Sequence, residues 1–257
     1  MRHLRDLPLI IFALSLTALW LSTELGFFIR KRLHEVEENE WKDLGTVETA
    51  TLTLLGLIIA FSFSMAVNRY DLRKHYEAEE ANAIGTEYVR AGLLPAGGAD
   101  HIRDLLQQWL HQRIAFYETR GDRELQPINQ RTAQLEIELW SSVQAAAETH
   151  STPTVALAVW GMNDVLNDRA YTQAAWWNRI PAASWGLMTS LAILCTFLVG
   201  YGSHRTGRDL FLVLPLAISI SFFLIADLDS PHGGIIRILP VDLVSLSESL
   251  HSPADAQ

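Results

Sequence analysis

Apolar and polar positions along the chain separate into four long apolar runs, two toward each end, with a mixed middle. A hydrocarbon core about 30 Å thick takes roughly 20 mostly apolar helical residues. The run from Pro8 to Ile29 meets that requirement, with Glu24 as its only charge. The second, Val47 to Val67, has no charge between Glu48 and Arg69, and the third, Ala182 to Gly202, contains Cys195. The fourth, Leu210 to Ala226, is shorter and carries Pro215, which removes a backbone bond near Phe211 and predicts a kink. Short apolar runs can also be buried core helices, but four nearly charge-free runs in one small chain argue for lipid.

The first run follows a basic start, MRHLRD, as a signal peptide would. Its apolar part is too long, no A-x-A-like site follows, and Arg30-Lys31-Arg32 reads as a membrane-edge anchor. An uncleaved helix is expected. Four spans would put both termini on one side. Lys and Arg near the helix ends then tie: Arg2, Arg5, Arg69, Arg73, Lys74 and Arg237 against Arg30, Lys31, Arg32, Lys42, Arg205 and Arg208. Charge alone does not orient the protein.

Between the runs, from about residue 69 to 180, charge rises and the periodicity is helical. Nothing but tolerable glycines interrupts the helix from Val47 to Arg90, so the second span should continue well past the membrane. Leu94-Pro95-Ala96-Gly97-Gly98 is a stop, and Asp100 can cap a next helix bearing Ile102, Leu105, Leu106, Trp109 and Tyr117. A turn over residues 121–127 leads to a helix ending near Glu148. Thr152-Pro153 then opens one that runs to Ile180, with threonine at the cap and proline at the first helical position. No convincing strand pattern occurs. The expected fold is all-α: four transmembrane helices, two plus two, over 1–68 and 182–228, a helical domain over 69–181, and a tail over 229–257.

Composition agrees with lipid burial. Of the 257 residues 49% are hydrophobic and only 19% charged, against about 25% charged in soluble domains. Fifteen Gly and nine Pro are ordinary, which excludes disorder and collagen-like repeats. One cysteine rules out an internal disulfide or a multi-cysteine zinc module. A net charge of −9 argues against a nucleic-acid partner. Trp176, Trp177 and Trp185 bracket the start of the third span, where indoles favour the headgroup level. Trp109, Trp140 and Trp160 lie on apolar stripes and are expected to pack between helices.

Candidate chemistry is sparse. The nine histidines form no H-E-x-x-H, His101 and His111 are too far apart for one site, and no G-x-S-x-G, Walker or dinucleotide motif is present. No enzyme activity or cofactor is implied. Glu77, Glu79 and Glu80 beside Arg73-Lys74 have the spacing of a solvated helix face with ion pairs. Glu24, an ionisable group within a span, is a functional candidate by default, yet it lies close enough to Arg30 for pairing or snorkelling. Asp227, Asp229 and His232 follow the fourth run and could hold a hard cation; the competing expectation is a sharp surface turn with both acids in water. In the second span Thr53, Leu57 and Phe61 form a stripe, with Ser62, Ser64 and Asn68 on neighbouring faces. Such residues serve helix packing or a wetted lining beside phenylalanine ring edges. With no Lys or Arg inside any span, a hydrophobic constriction is compatible with the stripe and a fixed cationic filter is not.

Three runs carry a resemblance: FSFSMAVNRYDLRKHYEAEEANAIGTEYVRAGLLP, then MNDVLNDR with NRIP, then DLDSPHGGIIR. In that order they resemble the bestrophin-like family of membrane proteins and, more distantly, the bestrophin anion channels. The resemblance implies two spans, a helical cytosolic domain and two more spans, assembled as pentamers around the second helix. It implies a neck at Thr53, Leu57 and Phe61, with Arg69-Tyr70 eight residues beyond Phe61. Asn163-Asp164, Arg169, Ile180-Pro181 and the segment with Asp227, Asp229, Pro231 and Gly233 recur as family motifs. Thr53 replaces a bulky apolar residue, and the acidic cluster of calcium-regulated members is here Gly-Ile-Ile-Arg, so calcium gating is not implied. The resemblance places termini and middle domain in the cytoplasm of a plasma or inner membrane.

The expected function is a self-associating channel for small anions, lined by the second span at Thr53, Leu57, Phe61, Ser64 and Asn68. The alternative is a non-conducting scaffold or sensor whose helical domain binds a partner protein.

Overall fold

The computed structural model describes residues 7–32, 38–202, 212–231 and 233–251. Among these, eight α-helices and one 3-10 turn account for the regular structure, and no strand occurs. The helices are α1 (Pro8–Arg32), α2 (Glu38–Arg90), α3 (Ala96–Glu118), α4 (Asp122–Thr149), α5 (Pro153–Trp177), α6 (Ala182–Gly202), α7 (Val213–Asp229) and α8 (Val241–His251); the 3-10 turn is Ala91–Leu93. Three stretches are long and apolar enough to cross a membrane: Pro8–Arg32, one within Asp43–Leu93 and one within Pro153–Gly202. The fourth apolar run becomes α7, of 17 residues. Arg2, Arg5, Arg205, Arg208, Phe211 and His232 lie outside the described residues.

The chain forms two units, Met1–Tyr70 with Arg179–Ile236, and Asp71–Asn178 with Arg237–Gln257. In the first, α1 packs against α6 and α7. Leu19, Leu55, Ala66, Met188, Ala192, Cys195, Ile218, Phe222 and Ile225 form its apolar core. The α1–α6 crossing is built on two glycines. A side chain on Gly26 would collide with the Phe197 carbonyl oxygen and reach 2.9 Å from the Tyr201 nitrogen; one on Gly200 would collide with the Thr23 carbonyl. Beside them the Ser22 hydroxyl donates to the Ile193 carbonyl at 2.9 Å. In lipid, where apolar burial gives no preference for helix over tail, such close backbone approach is a principal source of adhesion.

In the second unit α3, α4 and α5 pack in sequence order, with Trp109, Leu106, Leu135, Leu139, Ala158 and Met162 at the centre. Phe116 and Tyr117 meet Trp176 edge-on at 5.0 and 5.5 Å. Trp176 is therefore a core residue of this unit, because its ring has aromatic partners there, and not a headgroup anchor. Trp140 and Trp160 are 41% and 70% exposed, against the expectation of core packing; Trp109 alone of the three is buried.

Local boundaries follow capping chemistry. Thr152 accepts from the Val155 N–H at 3.3 Å with Pro153 at the first helical position, as expected, but α5 ends at Trp177. Asp100 is not a cap: α3 begins at Ala96, placing Asp100 inside the helix, 3.6 Å from Arg103. Pro127 lies within α4, which already starts at Asp122. Pro215 sits in the first turn of α7 as described, and the kink expected near Phe211 falls outside the described residues.

Gly26→Val and Gly200→Val should each lower thermal stability in detergent by about 1–3 kcal/mol through overpacking. Gly45→Ala, where an added methyl meets nothing within 4 Å, should leave the melting temperature unchanged or raise it.

Candidate functional site

The α2 segment of the first unit has two sides. At roughly 100° per residue, Thr53, Leu57, Phe61, Ser64 and Asn68 fall within about 80° of arc. All five are exposed in the single chain, Leu57 by 50% and Phe61 by 59%. Leu55, Ser62 and Ala66 lie on the opposite side and are buried. Ser64 and Asn68 thus share the stripe with Phe61, while Ser62 faces away from it. The Thr53 hydroxyl donates to the Thr49 carbonyl at 2.8 Å, as Thr49 and Thr51 do to Gly45 and Val47. The Thr53 donor is thus committed to the helix backbone, and Ser64 and Asn68 are the stripe's other polar side chains, both exposed.

The family-motif residues do not gather at one place. Arg69 is half-buried, and its Nε and Nη1 have no hydrogen-bond partner among the described residues. Tyr70 packs on the apolar core of the first unit. Asn163 and Asp164 are exposed on α5, and Arg169 pairs with Glu136 across α4 and α5. Pro181 precedes α6 and accepts from the Ser184 N–H at 3.1 Å.

Asp227 and Asp229 are buried, not solvated. Asp227 accepts from the Ile235 N–H at 2.7 Å through Oδ1 and from the Ile236 N–H at 2.8 Å through Oδ2. Asp229 accepts from the Ile180 N–H at 2.9 Å. Gly234 permits the wrap, since a side chain there would come within 2.7 Å of the Asp227 carbonyl oxygen. Pro231 is buried in the turn, and the Gly233 N–H donates to Ser230. The segment folds as a carboxylate-centred turn, with no group of three or more metal-capable side chains among the described residues. Glu24 is half-buried. His101 borders a cavity of about 420 Å³ with His150, whereas His111 faces His251 at 5.8 Å.

Sequence reasoning missed the buried charges of α2 in the second unit. Arg73, Glu77, Glu80 and Glu87 are each at most 2% exposed; of the expected solvated face Lys74 and Glu79 are exposed, while Arg73, Glu77 and Glu80 are interior. Arg73 donates from Nε to the Ala175 carbonyl and from Nη2 to the Asn178 carbonyl, both at 3.2 Å, capping the C-terminus of α5. Glu80 takes a two-point ion pair from Arg113, 2.9 and 3.1 Å. Glu87 has neither oxygen hydrogen-bonded and abuts Gly161, whose lack of a side chain makes the room. Burial pushes the Glu87 carboxyl up to about 8, Asp164 adding to the effect and Arg90 opposing it. Burial likewise raises Asp168 to about 6, with Glu79, Glu80 and Asp164 contributing, and raises the Tyr117 hydroxyl. The available signal was phase: positions 73, 77, 80, 84 and 87 keep the spacing of one helix face, and Ile84 on it is apolar.

If the Asp227 turn is structural, Asp227→Ala should lower stability by about 1–3 kcal/mol for the unsatisfied N–H groups. Adding calcium or a chelator should leave the melting temperature of the unaltered chain unmoved.

Residues 12–243 match the family model described as a Bestrophin-like domain. Comparison with curated proteins gives no match. Among solved structures, a bacterial bestrophin homologue from Klebsiella pneumoniae carrying a tryptophan-to-alanine mutation is similar with a TM-score of 0.66 at 13% identity, over 93% of this chain and 95% of that one. A variant with an isoleucine-to-threonine mutation gives 0.63 at 12%, over 93% and 97%. The homologue solved by Zn-SAD phasing gives 0.60 at 14%, over 94% and 95%. Such identities establish a shared fold, and the family match spans most of the sequence: the chain is a membrane protein that belongs to the bestrophin-like family.

Proposed function

We propose that the protein is an oligomeric channel passing small anions along a pore lined by α2. The observation that carries it is the two-sided character of α2: Thr53, Leu57, Phe61, Ser64 and Asn68 lie exposed together while Leu55, Ser62 and Ala66 are buried opposite them. The helices of one chain cannot enclose a wide water path, so several copies must surround a common axis. A pentamer is the assembly that the family resemblance implies. In it α1, α2, α6 and α7 would be the four spans, with termini and second unit cytoplasmic. Leu57 and Phe61 would form a constriction that dewets when narrow. Phenylalanine ring edges, electropositive by their quadrupole, and the Asn68 amide favour anions over cations.

The alternative, a non-conducting scaffold or sensor, draws support from the exposed side chains of the second unit, Ile137 at 71% and Trp160 at 70%. Such residues suit a protein partner.

Purified protein in liposomes, assayed for chloride flux and for subunit number by native mass spectrometry, separates the two. The channel should show flux from a homo-oligomer, increased several-fold by Phe61→Ala and suppressed by Phe61→Glu. A strictly monomeric protein, or flux unchanged by both substitutions, overturns the pore assignment. Electrically silent vesicles together with a stoichiometric partner select the scaffold.

A further inference from the structure

The C-terminal helix α8 is held to the second unit by a bond of unusual chemistry. Its first turn presents the N–H groups of Asp242 and Leu243, which have no acceptor within the helix. Both donate to one oxygen, Oε1 of Glu77 on α2, each at 3.0 Å. Glu77 is 1% exposed, and no Lys or Arg among the described residues pairs with it. Asp242, whose N–H makes one of these bonds, is itself an acid on the helix being held, and its charge acts on Glu77. Apolar contact adds to these bonds: Leu243 is fully buried, and Leu246 closes on Gly85, where a side chain would come within 3.0 Å.

We propose that α8 is a proton-controlled clasp, docked when the Glu77 carboxyl carries its proton and loosened when that carboxyl is charged. A neutral carboxyl can still accept through its carbonyl oxygen while its proton relieves the repulsion with Asp242. The charged form leaves two acids together in an unhydrated pocket. Burial first, and Asp242 next among the raising influences, push Glu77 up to about 7, although the two backbone N–H groups oppose them. Once α8 leaves, water reaches Glu77, whose ordinary value is about 4.3. The docked state therefore binds more protons than the released state across that interval. Docking therefore weakens as pH rises from about 4.3 and has lost this contribution once pH has passed about 7.

The other groups around the contact are accounted for. On α2, Arg73 caps α5 and Glu80 is paired with Arg113 of α3. Tyr117, also on α3, stays neutral because burial raises its hydroxyl. At the far end of α8, His251 faces His111 at 5.8 Å.

Hydrogen exchange of the full chain in lipid nanodiscs, read on peptides covering residues 239–246 and corrected for the chemical exchange rate, tests the clasp without reference to flux. Protection should be roughly tenfold greater at pH 6 than at pH 8. Glu77→Gln, whose amide oxygen can accept the same two N–H groups and never ionises, should be protected equally at both. Asp242→Asn, which removes the neighbouring acid, should move the midpoint to lower pH. Equal protection of the unaltered chain at the two pH values overturns the proposal. So does a Glu77→Gln variant that keeps the tenfold change, or an Asp242→Asn midpoint that stays or rises.

Discussion

One face of one helix sets most of what surrounds it. On α2 beyond Tyr70, Arg73, Glu77 and Glu80 follow at turn-length intervals, and each grips a different element: Arg73 the C-terminus of α5, Glu77 the N-terminus of α8, and Glu80 the guanidinium of Arg113 on α3. Burying charges is costly unless each meets a complementary group. The positions of α3, α5 and α8 are thereby tied to specific points along α2 and not merely to its apolar surface. Removing one member of such a pair strands the other, at a cost of about 3–5 kcal/mol. The same row supplies the departures from ordinary titration. Glu77 and Glu87 have no cationic hydrogen-bond partner among the described residues and are held above the usual carboxylate range.

The membrane-spanning portion rests on different physics. Water is absent from the hydrocarbon, so shape and backbone proximity take over from apolar burial. The reciprocal close approaches of Gly26 and Gly200, with the Ser22-to-Ile193 hydrogen bond beside them, join α1 to α6. α2 gives one side to that unit's core and leaves Thr53, Leu57, Phe61, Ser64 and Asn68 uncovered. Long helices can thus be firmly built into a subunit and still present a chemically distinct stripe outward, the condition for any axis-lining role.

Legibility differed by level. Helix existence was plain from periodicity and from the apolar runs, and Thr152-Pro153 marked the start of α5 because a cap is a local device. The common face of Thr53, Leu57 and Phe61 followed from spacing alone. Ser64 and Asn68 join it by the same arithmetic, and Ser62 opposes it. What misled was treating polarity as exposure. Arg73, Glu77 and Glu80 looked like a solvated face, and Asp227 and Asp229 looked like acids in water, yet all are buried. Each found its partners in backbone groups or side chains of another segment, from eight positions away for Asp227 to more than 160 for Glu77. Trp140 and Trp160 erred in the opposite direction, since an apolar stripe shows only that a face wants cover.

The sequence by itself determined that this is an all-helical membrane protein, because hydrocarbon thickness and helical period are written as run lengths and spacings, and its motif runs carried the resemblance to the bestrophin-like family. It also placed the candidate stripe on α2. Only the tertiary structure decided which charges are interior, which backbone groups Asp227 and Glu77 satisfy, and which backbone Gly26 and Gly200 each approach. Those outcomes depend on groups about 8 to 177 positions apart in the chain, and no local pattern names such a partner.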